Sequence, residues 1–131
     1  MIVDTSAWVE FLRGTGSAVH RRLRAEIEAG AELVVPELVV MEILVGATDD
    51  EMARRLRTML HSFEVVPLAP LVDSEAVAAL QRRCRREGRA VRSMVDCLIA
   101  ATALRLGQPV LHLDRDFELM ATVSPLQLVA A

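Results

Sequence analysis

The chain has 131 residues, read as one domain over 1–131, and is 53% hydrophobic but only 3% aromatic, a composition suited to buried strands of Val, Leu and Ile covered by helices. All 15 basic residues are Arg, which excludes chemistry that needs a lysine: Schiff bases, phosphate-loop NTPases and phospho-acceptor receiver domains. The net charge of −3 and pI near 5.6 do not advertise a nucleic-acid binder, no apolar stretch approaches the ~20 residues of a membrane span, and Cys84 and Cys97 lack zinc-ligand or redox spacing, so reduced thiols, a cytoplasmic location and no secretory leader are expected.

A strand over 2–4 opens the chain. A short helix over 7–12 follows, then a loop, then a helix over 18–29 in which Val19, Leu23 and Ile27 recur at every fourth position until Gly30 stops it. A buried strand is predicted over 33–35, with Pro36 in the first turn of a helix over 38–45 that Gly46 ends. Thr48 with Glu51 reads as a capping box for a helix whose Met52, Leu56, Met59 and Leu60 share a face. Beyond it lie a strand over 63–66, a break at Pro67 and Pro70, a long helix over 72–87, an interruption at Gly88 and a helix over 93–106. Gly107 and Pro109 then turn the chain into a strand over 110–113, a short helix and a last strand over 126–129. Short apolar strands alternating with helices predict an α/β fold, with a mostly parallel central sheet of about five strands and helices on both faces.

Four acids interrupt this pattern. Asp4 closes the first strand, Glu42 sits between Met41 and Ile43 in an apolar helix, Asp96 opens another helix and Asp114 closes the strand over 110–113. Strands of an open α/β sheet aim their carboxyl ends at the ligand crevice, so Asp4 and Asp114 are directed to one place. Four charges roughly 5 Å apart repel by about 3 kcal/mol per pair at an effective dielectric of ~20, enough in sum to rival a domain's stability of ~5–15 kcal/mol. Such a cluster must protonate, spread or bind a cation. Two of the acids also have a structural explanation: Asp96 completes a capping box with Ser93, and Asp114 suits a helix N-cap. An unpaired charge at Glu42 has no such excuse. All-oxygen ligation without His or Cys points to Mg²⁺ or Mn²⁺, one or two ions, and to hydrolysis of a phosphodiester.

IVDTSA at 2–7, Glu42 after the second strand, DCLIAATA at 96–103 and HLDRDF at 112–117 together give the chain a family resemblance that covers nearly its whole length. It resembles the PIN-domain nucleases, and more narrowly the VapC-type toxins of bacterial toxin–antitoxin pairs. The resemblance implies a PIN-like three-layer sandwich and a Mg²⁺- or Mn²⁺-dependent endoribonuclease. It also implies a homodimer, assembling with and inhibited by a small VapB-type antitoxin. Asp4, Glu42, Asp96 and Asp114 match the family's acidic quartet and Asp116 a further acid, with Asp4 and Asp96 expected as the foremost ligands and a helix-start role as the alternative for Asp116. Thr5 and Ser6 match hydroxyls that brace the first acid, with a helix N-cap as the alternative for Ser6. The alternatives are a PIN-like module that binds RNA or protein without cutting and a metal-dependent phosphatase of the haloacid-dehalogenase type, which would want a second Asp where Ser6 stands.

From Gln81 to Ser93 six arginines face one acid, Glu87, a local charge of +5. Arg89 and Arg92 lead directly to Asp96 and are candidates for holding RNA phosphates, against a plain solvated helix face. Gly14-Thr15-Gly16 lacks the strand and third glycine of a dinucleotide loop. His112 shares strand parity with Asp114 and is read as core packing or as support for the acids; Trp8 is read as packing or an interface. The apolar surface of Val9, Leu12, Val45, Met52 and Met59 exceeds what one sheet face needs, so part is expected to serve a partner.

Overall fold

The computed structural model describes residues 1–131. Four short parallel strands, β1 (Ile2–Val3), β2 (Val34–Pro36), β3 (Glu64–Val66) and β4 (Val110–Leu111), form one sheet in the order β3-β2-β1-β4. β1 leads to α1 (Thr5–Arg13) and α2 (Ala18–Glu28), and β2 to α3 (Glu37–Val45) and α4 (Asp50–His61). β3 leads to α5 (Pro70–Arg86) and α6 (Met94–Leu106), and β4 to α7 (Arg115–Thr122). Ile2, Val3, Val35 and Leu111 are fully buried in the sheet. α6 is buried nearly all round because Ala100, Ala101 and Ala103 allow close approach beside Cys97 and Ile99. No helix is long and apolar enough to cross a membrane.

The strand count is four where about five were expected. Segment 126–129 holds only one bridge, Leu128 to Val110, with Val110 N–H donating to Gln127 O (3.0 Å) and Val129 N–H to Val110 O (2.9 Å). Both bonds involve the single residue Val110, so the pairing does not propagate. β4 stops at Leu111 instead of reaching 113 because the next amides are taken by side chains: Leu113 N–H donates to Ser6 Oγ (2.9 Å) and Asp114 N–H to His112 Nδ1 (3.1 Å).

Caps account for the remaining shifts in boundary. β1 ends at Val3 and α1 begins at Thr5 because Asp4 is the N-cap, its Oδ2 accepting from Ser6 N–H at 3.0 Å. Ser6 is therefore inside the first turn and is not the cap. Gly14 closes α1 in the left-handed region at φ 61°, which assigns the Gly14-Thr15-Gly16 loop to helix termination. α4 is capped by Asp49, not Thr48: Asp49 Oδ1 accepts from Met52 N–H at 2.7 Å, while Thr48 Oγ1 reaches the Met52 sulfur. Pro36 is the last residue of β2 and the cap position of α3. Trp8 is fully buried, its ring centroid 5.9 Å from Phe11 and 5.5 Å from Phe63, which settles it as core.

Candidate active site

β1 and β4 are neighbours, yet the chain runs from β1 through β2 and β3 on one side before returning to β4 on the other. The crevice at their carboxyl ends is the place where open α/β sheets take ligands. Asp4 leaves β1 there, its N–H donating to Leu111 O at 3.0 Å, and Asp114 follows β4 as the N-cap of α7. Asp96 lies in the first turn of α6, where Ser93 Oγ accepts from its N–H at 3.2 Å. Glu42 comes from α3 and Asp116 from the first turn of α7.

Asp96, Asp114 and Asp116 each bring a carboxylate oxygen to within 4.8 Å of the others. Ligands around a cation with bonds of ~2.1 Å stand about 3–4 Å apart, so this trio needs little rearrangement to share one ion. Asp4 and Glu42 stand outside the trio and couple to it through Asp96. Asp116, the acid with the plainest structural alternative, thus belongs to the tightest group.

Each acid is held in a distinct way. Asp4 is 2% exposed, and its Oδ2 accepts both Ser6 N–H and Ser6 Oγ–H (2.6 Å), while its Oδ1 is buried with no hydrogen-bond partner. Ser6 also accepts from Leu113 N–H, so one hydroxyl ties the end of β1 to the chain beyond β4. Thr5, expected to brace the first acid, braces the second: its Oγ1 donates to Glu42 Oε1 at 2.6 Å, because at the first helical position it points toward α3. Asp114 Oδ1 accepts from Asp116 N–H at 2.9 Å. His112 has both of the roles considered for it, supporting the Asp114 amide and packing its ring 5.2 Å from Phe117.

The electrostatics follow from this crowding. Burial, then Asp4, Asp114 with its hydrogen bond, and Glu42 push the Asp96 carboxyl up to about 7. Burial raises Asp4 as well, against the Ser6 hydrogen bonds and with Glu42 adding repulsion. Burial and Asp114 raise Asp116, opposed by Arg92 and the Ser93 amide. Arg92 therefore faces the acids, and Arg89 lines a depression together with Asp116 and Arg115. Cys97, beside Asp96, is pushed up to about 11 by burial and that neighbour, and Cys84 is raised by burial, so both buried thiols are inert structural groups.

The donor set fits a hard divalent cation. It is all carboxylate, its members repel with only Arg92 opposing them at Asp116, and Asp4 Oδ1 is a desolvated acceptor with nothing to accept from. Two features escaped sequence reasoning: the Thr5–Glu42 link and the reach of Ser6 to Leu113. The adjacent hydroxyls following Asp4 were the visible signal, but their targets depend on how α1 leaves the sheet.

Comparison with known proteins places this architecture. The PIN domain profile matches residues 1–123. Ribonuclease VapC11 of Mycobacterium tuberculosis is 39% identical over 128 residues, covering 97% of this chain and 96% of that protein. Ribonuclease VapC19 of the same species is 33% identical over 129 residues, covering 95% and 97%. Among solved structures, VapBC-1 of nontypeable Haemophilus influenzae superposes with a TM-score of 0.75 at 16% identity, covering 98% of this chain and 95% of that one. VapBC2 of Rickettsia felis, bound to a DNA fragment from its promoter, gives 0.74 at 14% identity, covering 98% and 96%. At such low identity the superpositions establish the fold alone. With the profile and the sequence relatives each spanning nearly the whole length, the chain belongs to the PIN-domain family and, within it, to the VapC ribonucleases.

Proposed function

We propose that this protein is a metal-dependent endoribonuclease that acts as the toxin of a toxin–antitoxin pair, with Asp4, Glu42, Asp96, Asp114 and Asp116 as its catalytic acids. One observation carries the reading: the carboxylates of Asp96, Asp114 and Asp116 meet within 4.8 Å of one another beside the carboxyl ends of β1 and β4, and the buried Asp4, whose charge acts on Asp96, keeps an oxygen without a partner. Asp96, Asp114 and Asp116 would hold a Mg²⁺ or Mn²⁺ ion, and Asp4 would offer it the Oδ1 that no donor engages. When bound, such an ion acidifies water and neutralises charge developing on phosphate oxygens. Ser6 fixes the rotamer of Asp4, and Thr5 fixes Glu42 through Oε1, leaving Oε2 free to accept a proton. Arg89 and Arg92 would receive the phosphates of RNA at the rim.

The antitoxin of VapB type would use the cleft between α1, α3 and α4. Val9, Leu12, Ile43, Met52 and Leu56 line it, with Glu42 and Arg13 among its polar members, so an occupant reaches the acids from the apolar side. This accounts for the surplus apolar surface on the first four helices. A homodimer and a cytoplasmic location belong to the same reading.

The test exposes total bacterial RNA to antitoxin-free protein with Mg²⁺ or Mn²⁺ and maps new 5′ ends by sequencing. Discrete cuts, absent with EDTA and absent from Asp4→Asn, are expected. Folded protein that gives no cuts with either ion would transfer the weight to a module that binds without cutting.

A further inference from the structure

The arginine run continues onto a second element. Arg83 and Arg86 on α5, Arg89 in the following loop and Arg115 on α7 are all exposed. The ion pairs of the fold engage Arg22, Arg24, Arg55 and Arg105, leaving these four guanidinium groups without one. They line two depressions. The first contains Arg89, Arg115 and Asp116, and the second Arg83 and Arg86; Thr122 borders both and joins them into one path. The path therefore begins at an acid of the cleavage site and runs outward between the end of α5 and α7.

The walls discriminate between occupants. Glu118 and Glu87 are the acids along the path besides Asp116, whose charge a bound cation would share, so guanidinium groups prevail. Apolar anchors of the kind a protein partner uses are nearly lacking here, with one hydrophobic residue in each depression, whereas the cleft beside Glu42 has five. Guanidinium groups spaced along a shallow polar groove suit a phosphate backbone.

We propose that these two depressions form one phosphate track, along which single-stranded RNA leaves the cleavage centre past Asp116 and is held first by Arg89 and Arg115, then by Arg83 and Arg86. The track rests on the ribonuclease reading and adds the direction in which substrate extends. It explains how a chain of net negative charge holds a polyanion: the basic charge is concentrated where the strand runs.

The test measures fluorescence anisotropy of labelled single-stranded RNA, of about 12 and about 4 nucleotides, in Mg²⁺ over a series of salt concentrations. Asp96→Asn serves as background so that RNA stays intact. Adding Arg83→Ala and Arg86→Ala is expected to weaken binding of the longer RNA about tenfold at low salt, to affect the shorter RNA less, and to reduce the slope of log K against log salt by about 1.4, or ~0.7 per lost phosphate contact. Arg54→Ala with Arg57→Ala removes the same charge from α4 and is expected to leave that slope as it was. An unchanged slope in Arg83→Ala/Arg86→Ala, or an equal change from the α4 pair, overturns the track while leaving the nuclease intact. If Arg83→Ala/Arg86→Ala abolishes antitoxin binding but spares RNA binding, the surface belongs to the protein partner and the proposal fails. Folded wild-type protein that cuts no RNA with Mg²⁺ or Mn²⁺ would refute the ribonuclease reading itself, and the track with it.

Discussion

Asp4 combines two costs in one side chain: a carboxylate almost out of water and an oxygen, Oδ1, with nothing to bind. A buried acceptor in that condition costs about 1–3 kcal/mol, and the neighbouring acids add repulsion. Asp4→Asn keeps the shape, lets the amide oxygen go on accepting from Ser6, and puts an N–H₂ donor where Oδ1 stands. Cleavage should fall below detection, while the metal-free variant should melt several degrees above wild type; a lower melting temperature in EDTA would contradict the account of the cluster. Thr5→Val tests the neighbouring link. It removes the 2.6 Å hydrogen bond to Glu42 at nearly constant volume, so kcat should drop about 10- to 100-fold, with RNA affinity little changed. An equal loss of affinity would mean that Thr5 supports RNA binding and not the orientation of Glu42. The acids themselves stood out in the sequence because a charge inside an apolar run is conspicuous wherever it occurs. Their hydroxyl partners did not, since Thr5 and Ser6 are adjacent but serve different carboxylates, a division decided by the angle at which α1 leaves β1.

The same limit governs the helices. Their existence was legible from apolar spacing and from Gly30, Gly46 and Gly107, yet Asp73 drew no notice as one acid on a mixed helix. In the fold it is fully buried, and Arg105 Nε and Nη2 donate to its two oxygens at 2.9 and 3.0 Å. Ala69 N–H donates to the same carboxylate and Arg105 also reaches Pro67 O, so the end of α6 is clamped onto the start of α5. Burial alone would raise the Asp73 carboxyl, but the Arg105 hydrogen bonds and charge, with the Ala69 amide and Thr102, hold it below the ordinary value. Arg105→Ala leaves a buried carboxylate unpaired and should cost about 3 kcal/mol in urea unfolding. Arg24→Ala, which breaks the exposed pair with Glu28, should cause no measurable change. Equal effects would place the clamp among ordinary surface pairs. Pairing across 32 positions is invisible to periodicity, which reports only neighbours within a turn or two. The fifth strand failed for a related reason: 126–129 has the composition of a strand, but β4 ends at Leu111 and presents it with the N–H and C=O of Val110 alone.

Across the chain, the clamp and the acid cluster pull stability in opposite directions as pH changes. Asp73 titrates below its ordinary value when folded, so its contribution is present above about pH 4 and is lost as pH falls further. Asp96 titrates near 7 when folded and near 3.8 when unfolded. Between those values the folded protein holds a proton that the unfolded chain has released, so folding is favoured at the acid end and weakened as pH rises toward 7. Asp4 and Asp116 are shifted in the same direction. Metal-free protein should therefore be most stable near pH 4–5 and lose on the order of 2–3 kcal/mol by about pH 8, read from urea unfolding in EDTA. A cation that binds the ionised acids reverses the incentive, because it takes the place of the proton. Millimolar Mg²⁺ should flatten this slope and raise stability at pH 8 in proportion to RT ln(1 + [Mg²⁺]/Kd), whereas KCl at matched ionic strength should recover only part of the loss. If Mg²⁺ and KCl act alike, the effect is general screening and the acids hold no ion. If Mg²⁺ alone restores stability, one event closes the site across β1, α3, α6 and α7. Ion binding would then draw together elements whose charges otherwise push them apart, so that cleavage competence and maximal stability arrive at the same step.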